Sequence, residues 1–125
     1  YIPLNLSPAT NFSGYSYIAY LFASVPGICD IGSYTGAGGV LYIDCGFTNG
    51  ARFVLIKRAD QTGDWMCFDT VRGIAEGDSK MLALNTNIGQ ISNRAYIAPY
   101  DKGFRASMDN TTTIPGAKYI YMAIA

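Results

Sequence analysis

The stretch that decides the fold runs from Arg52 to Gly73 and reads RFVLIKRADQTGDWMCFDTVRG. Two runs rich in β-branched and aromatic residues, Arg52–Arg58 and Trp65–Thr70, flank a polar turn formed by residues 59–64. Strand-forming runs joined by turn-forming residues are typical of a β-hairpin. The residues from Phe53 to Ile56 are all apolar, which indicates a strand with protein on both of its faces. We therefore predict that this hairpin forms the centre of the core.

Short runs of the same kind lie on both sides of the hairpin, separated by glycine, asparagine and proline turns. No apolar pattern keeps a 3.6-residue spacing for three turns, so we expect no helix longer than two turns. The further predicted strands are Tyr15–Ala23, Cys29–Tyr34, Val40–Phe47, Arg94–Ala98, Gly103–Met108 and Ala117–Ala125. Many short, evenly spaced strands predict an all-β fold, an antiparallel β-sandwich of the jelly-roll or lectin-like kind with short loops and little or no helix. The side chains expected to be mostly buried are Phe53, Leu55, Trp65, Phe68, Leu82, Phe104 and Ile120.

An internal similarity suggests how the chain is organised. Gly14–Ala23 resembles the closing run Gly116–Ala125, with aligned residues at a constant offset of 102. Apolar strands can look alike by chance, and the alternative is a tandem array of repeats. In that array, residues 1–24 are an N-terminal arm and strand resembling the closing strand of a preceding repeat, and residues 25–125 are one complete β-sandwich module. The missing initiator Met then predicts a processed product or a fragment of a longer protein.

The composition excludes several classes of function. Charged residues make up 14% of the 125 residues and the formal net charge is zero, whereas a nucleic-acid partner calls for a basic excess. The longest apolar run, Tyr15 to Val25, is too short to span a bilayer, so we expect no membrane insertion. Of the three cysteines, Cys45 and Cys67 lie in strand-like runs. They are interpreted as small buried hydrophobes, with a disulfide or a reactive thiol as the alternative.

Nothing in the sequence assembles the parts of an enzyme. Histidine, the usual proton shuttle near neutral pH, does not occur in the chain. Paired carboxylates such as Asp60 and Asp64 flank a turn, where aspartate is expected because its side chain hydrogen-bonds the local backbone. Without histidine or a Cys-x-x-Cys spacing, a zinc site is improbable. We therefore expect no catalytic residues, no metal and no cofactor.

Binding and structural roles remain open for a few polar and aromatic residues. Asp69 and Arg72 lie three residues apart just after a hydrophobic run, where an arginine–carboxylate pair would pin the chain bend. Ten tyrosines could provide stacking platforms for sugars or contacts for proteins. The candidate receptor contacts lie in or near predicted turns: Tyr34, Asp60, Gln61, Tyr96 and Tyr100.

These motifs, taken in order, resemble a repeat module of uncharacterised function found in tailed-phage tail fibres and other virion structural proteins. The matching stretches are GSYTGAGG (Gly32–Gly39), CGFTNGARFVLIKRADQTGDWMCFDTVRG (Cys45–Gly73), the pair Gly103-Phe104 and YIYMAIA (Tyr119–Ala125). In that module a W-x-x-x-D-x-x-R-G motif closes the hairpin, which assigns Trp65, Asp69 and Arg72 to one structural clasp. Asn49-Gly50-Ala51 stands where many members have a proline, which changes only the turn.

The resemblance implies a location rather than a mechanism. The chain is expected to be a virion structural protein of a tailed bacteriophage, most plainly a tail fibre or appendage domain that contributes to host-surface recognition. The alternative is a purely structural role as fibre shaft, tail adaptor or capsid decoration protein. The implied partners are other virion proteins, identical subunits in a homo-oligomer such as a trimer, and a glycan or protein of the host surface. Assembly in the bacterial cytoplasm would keep the cysteines reduced.

Overall fold

The computed structural model describes residues 9–107, 109 and 111–125, and within these ranges the fold is all-β with no helix. Eight strands form two sheets in a sandwich-like arrangement, not a closed barrel, and every strand pair is antiparallel. The prediction of an antiparallel β-sandwich is therefore confirmed. The five-stranded sheet has the order β1 (Cys29–Thr35), β8 (Lys118–Ile124), β3 (Phe53–Arg58), β4 (Trp65–Asp69) and β5 (Leu82–Ala83). The three-stranded sheet has the order β2 (Leu41–Asp44), β7 (Gly103–Ala106) and β6 (Ile97–Tyr100).

The predicted hairpin is present and places β3 in the middle of the larger sheet. β3 pairs with β4 in a register that sets Leu55 opposite Cys67, and it pairs with β8 on its other side. Val54 and Ile56 are fully buried between the two sheets, while Phe53 and Leu55 are partly buried on the opposite face. The four apolar residues thus alternate between the core and the opposite face of the sheet. The protein cover predicted for both faces is complete only on the core side, since Phe53 and Leu55 are partly buried.

The core lies between the two sheets and is rich in aromatic rings. Phe68 and Tyr119 from the larger sheet and Phe104 from the smaller one are at most 1% exposed. The ring of Phe104 meets that of Tyr121 edge to face, with centroids 5.4 Å apart. Burying a side chain of this size stabilises the fold by about 2–3 kcal/mol.

Two of the seven side chains predicted to be buried are not. Trp65 is 40% exposed and Ile120 is 43% exposed. Neighbouring residues of a strand point to opposite faces, and both residues lie on the face turned away from the smaller sheet. Phe68 and Phe104 are buried as predicted, and the remaining three are partly buried: Phe53, Leu55 and Leu82.

The predicted strand Tyr15–Ala23 is wrong for the single chain. A Pro-Gly turn after Val25, with Gly27 at φ 73°, brings Val25 into one antiparallel bridge with Cys29. Beyond that bridge the hydroxyl of Ser24 accepts the backbone N–H of Ile31 at 2.9 Å, where a continuing ladder would place a carbonyl. The segment therefore leaves the sheet edge, and most of its surface is exposed. Of the proposed N-terminal arm, residues 1–8 lie outside the described residues.

The bounds of several predicted strands shift, and the shift in β6 moves a proline into the strand. The strand predicted at Arg94–Ala98 lies at Ile97–Tyr100, so Pro99 is inside β6 rather than in a turn. A proline cannot donate a ladder hydrogen bond, but β6 pairs only with β7 and its other edge is unpaired, which makes Pro99 tolerable there. The connection between the strands predicted at Arg94–Ala98 and Gly103–Met108 is correspondingly shorter, because β6 ends at Tyr100 and β7 begins at Gly103.

Buried hydroxyl groups attach the long loops to the smaller sheet. Ser79 is fully buried, and its oxygen accepts the backbone N–H groups of Tyr96 and Ile97 at 3.1 and 3.2 Å. Thr112 donates to the carbonyl of Tyr96 at 2.7 Å, and Thr113 donates to that of Ser107 at 2.9 Å. Each buried hydroxyl is therefore hydrogen-bonded, which keeps the cost of burying it low.

One glycine gives a direct test of this packing. A Cβ on Gly36 would lie 2.1 Å from the carbonyl oxygen of Ile114, where the chain continues the β1–β8 pairing. We expect Gly36→Ala to lower the free energy of unfolding by about 1–3 kcal/mol through overpacking. Gly39→Ala is the matched control, since a Cβ there meets no atom within 4 Å. Urea melts of both variants measure the difference, and equal midpoints would contradict the described loop packing.

Candidate interaction surface

The most unusual surface of the protein is the outer face of the five-stranded sheet, defined as the face turned away from the three-stranded sheet. The strand registers place one row of side chains across all five strands of this face. That row is entirely apolar: Ile31, Met122, Leu55, Cys67 and Leu82. The outer face therefore has the composition of the inside of a sandwich, although none of the described strands covers it.

The neighbouring row of the outer face contains the indole ring of Trp65, which is 40% exposed. Ile120 lies opposite Lys57, and Lys57 lies opposite Trp65. Lys57 donates to the carbonyl of Arg58 at 3.0 Å, so its charged end is directed to the rim of the sheet. The ammonium group of Lys57 therefore has a hydrogen-bond partner of its own, which lowers the cost of removing this row from water.

A groove crosses this outer face. Its volume is about 560 Å³. Tyr20 and Phe22 of the N-terminal segment (Tyr15–Ala23) line it together with residues of the sheet that include Ile31, Leu55 and Trp65. Tyr20 and Phe22 are nevertheless 79% and 65% exposed, so the segment borders the groove without filling it.

The predicted clasp residues divide into a pair and an isolated tryptophan. The guanidinium of Arg72 lies 2.5 Å from the carboxylate of Asp69, which also accepts the backbone N–H of Arg72 at 2.7 Å. Burial raises the pKa of the adjacent Cys67 thiol, and the charge of Arg72 opposes that rise. Trp65 lies at the other end of β4, where its backbone N–H donates to Asn85 at 2.8 Å. Asp69 and Arg72 fix the bend after β4, and Trp65 takes no part in that contact.

The predicted receptor contacts do not form one surface. Tyr34 stacks on Tyr119 inside the sandwich with ring centroids 5.0 Å apart, and Tyr96 is 7% exposed. Asp60 and Gln61 lie in the exposed β3–β4 loop. A hydrogen bond from Arg58 holds the pKa of the Asp60 carboxyl below its usual range. Tyr100 is partly buried in the strand β6.

A second exposed patch lies on the outside of the three-stranded sheet, and Tyr100 is its one residue among the predicted receptor contacts. Tyr42 is 63% exposed, and its ring meets that of Tyr100 edge to face at 5.2 Å. Arg105 lies directly opposite Tyr42 in the register and forms an ion pair with Glu76. We call these four residues the tyrosine patch. The strict alternation along β2 was the signal that could have found it, because it puts Tyr42 on the face away from the core.

A partly buried polar cluster lies near the edge between the two sheets. The hydroxyl of Tyr121 donates to the carboxylate of Asp30 at 2.5 Å. Burial, and then the negative charge of Asp30, raises the pKa of the Cys45 thiol to about 12. A thiol that keeps its proton at neutral pH is a poor nucleophile, so this arrangement supports packing rather than covalent chemistry.

The described ranges contain no group of three or more cysteine, aspartate or glutamate side chains placed to hold a metal ion. Over the same part of the chain, no helix has the length and apolar character needed to cross a membrane.

A family model described as a domain of unknown function matches residues 3–125. The chain belongs to the DUF7483 family. The DUF7483 match takes in the N-terminal segment, the hairpin and the closing strand together. No significant match was found among curated proteins or among solved structures.

Replacing either member of the Asp69–Arg72 pair should lower the free energy of unfolding, and by different amounts. We expect Asp69→Ala to cost about 1–2 kcal/mol of unfolding free energy, because it removes both the ion pair and the bond to the Arg72 backbone. Arg72→Ala should cost less, about 0.5–1 kcal/mol, because its side chain is about one-third exposed. Arg94→Ala is the control, since Arg94 lies 3.9 Å from Asp109 and is 63% exposed. Denaturant melts that leave Asp69→Ala as stable as Arg94→Ala would rule out the clasp.

Proposed function

We propose that this chain is a non-enzymatic structural module of a tailed-phage virion, in a tail fibre or another appendage. The support is the resemblance of its hairpin motif and closing strand to repeat modules of such particles, together with the apolar outer face. The partners in this proposal are other virion proteins and identical subunits, with a trimer as the expected assembly. Assembly would take place in the bacterial cytoplasm.

The observation that carries the proposal is the apolar row that crosses all five strands of the outer face. Ile31, Trp65 and Ile120 remain 36–43% exposed there. Covering the exposed part of one such side chain would stabilise a complex by about 1 kcal/mol. Interface cores are depleted in charged residues and enriched in aromatic ones, and this face has that composition. A face of this kind favours a role in assembly over one as a solvent-exposed enzyme surface.

The tyrosine patch supports the host-recognition part of the proposal. It lies on the other outer surface of the sandwich, so it stays accessible when the outer face is covered. An exposed tyrosine ring can stack on the apolar side of a sugar, and the ion pair of Arg105 and Glu76 offers both donors and acceptors to its hydroxyl groups. We therefore propose a host-surface glycan as the ligand of this patch, in preference to the scattered residues predicted from sequence.

The proposal predicts where the chain is found and what it competes with. Particles purified from a lysate of the bacterial host should be labelled on their tails or appendages by antibodies against the purified chain. The purified chain should also slow adsorption of those particles to cells, and Tyr42→Ala should abolish that competition. Asn87→Ala, in an exposed loop, is the control and should compete like the unchanged chain. Absence of the chain from every particle fraction would contradict the virion role. Labelled particles without competition would leave assembly as its only function.

A further inference from the structure

The N-terminal segment, defined as Tyr15–Ala23, begins a hairpin with β1 but does not complete it. Val25 and Cys29 exchange two backbone hydrogen bonds at 2.9 and 3.0 Å, and the next ladder position would pair Ala23 with Ile31. Ser24 blocks that position, because its hydroxyl accepts from Ile31 and also donates to Asp30 at 3.1 Å. The segment is thus directed off the sheet edge by a specific contact.

The segment is apolar and uncharged, and its own chain does not bury it. Its five large exposed side chains other than Tyr17 are 65–82% exposed: Tyr15, Ile18, Tyr20, Leu21 and Phe22. The chain carries no charged residue before Asp30. An exposed run of this kind is typical of an interaction site, since single chains rarely leave a contiguous apolar patch in water.

We propose that the N-terminal segment of one chain lies across the outer face of a second copy of the chain. The segment is apolar and uncharged, the central row of the outer face is apolar, and the charged groups beside that row have partners of their own, so the two surfaces can pack together without burying an unpaired charge. In its own chain the turn at Pro26-Gly27 fixes the direction in which the segment leaves β1. In that direction the segment borders the groove of about 560 Å³ and leaves it open. A segment from a second copy is free of that constraint and can fill the groove.

Exchange between identical chains also allows every outer face to be covered, because each copy receives a segment from another copy. Each copy offers the same segment and the same face, so the contacts close on themselves in a dimer, or in a cyclic trimer. The inference concerns contacts between copies and holds whether or not the chain is part of a virion.

Two matched substitutions test the exchange on the full chain. Sedimentation should give a mass of two or more chains that falls to one on dilution. Ile18→Lys should raise the concentration needed for association at least tenfold, because it places a charge in the covered segment. Val71→Lys makes the same chemical change at a residue that is 92% exposed and belongs neither to the segment nor to the lining of the groove, and it should leave the association unchanged. A monomer at every concentration, or an oligomer insensitive to Ile18→Lys, would overturn the proposal.

A crosslinking experiment separates exchange from contact within one chain. A photo-reactive phenylalanine analogue replaces Tyr20 in both ¹⁵N-labelled and unlabelled chains, which are mixed and irradiated. Exchange predicts crosslinked peptides that join a labelled segment to an unlabelled peptide containing Leu55 or Trp65. Crosslinks found only between peptides of the same isotope would mean that the segment stays on its own chain, and the proposal would be wrong.

Discussion

The structure depends on a central strand that is apolar on both of its faces. Val54 and Ile56 of β3 pack into the core, while Phe53 and Leu55 project to the outer face. A strand of this composition is typical of a sheet that is covered on both sides. The three-stranded sheet covers one side, and of the described residues outside the two sheets, Tyr20 and Phe22 of the N-terminal segment border the groove on the other side. The need to cover the second side connects the fold of the module to its proposed assembly.

The two outer surfaces of the sandwich have opposite chemistry. The outer face of the larger sheet is apolar, and its charged groups lie at the rim, where Asp69 and Arg72 neutralise each other. The smaller sheet instead exposes the tyrosine patch, in which a ring and an ion pair lie side by side. Hydrophobic burial favours permanent contacts, whereas a mixed aromatic and polar patch suits reversible recognition. A module with both surfaces can attach on one side and bind a ligand on the other.

Much of the fold was predictable because the local signals agree with one another. The β3–β4 hairpin follows from its two apolar runs and polar turn, and the pairing of Asp69 with Arg72 follows from their spacing at the bend. Trp65 and Ile120 were assigned to the core because apolar residues are expected inside. Composition cannot say which face of a sheet a partner covers. The N-terminal segment was misjudged for a related reason, since a single hydroxyl on Ser24 decides whether the ladder continues.

The candidate site was less predictable than the fold. Tyr34, Tyr96 and Tyr100 lie near predicted turns in the sequence. Whether the side chain of each tyrosine is buried depends, however, on the loops that fold over it. Tyr34 is held inside by a hydrogen bond to the carbonyl of Thr112, which lies 78 residues away in the chain. The outer face likewise depends on pairing between distant parts of the sequence, because the residues of its central row come from five separate strands. Such a surface emerges only when the strand order is known.

Trp65 is the only tryptophan of the chain and lies on the outer face, so its fluorescence reports directly on whether that face is covered. Emission and acrylamide quenching can be followed from dilute to concentrated protein. Covering the face predicts a shift of the emission to shorter wavelengths and a fall in quenching as the concentration rises, with both changes weakened by Ile18→Lys. Emission and quenching that stay constant over the whole range would mean that the outer face remains open to water, which would contradict the central claim.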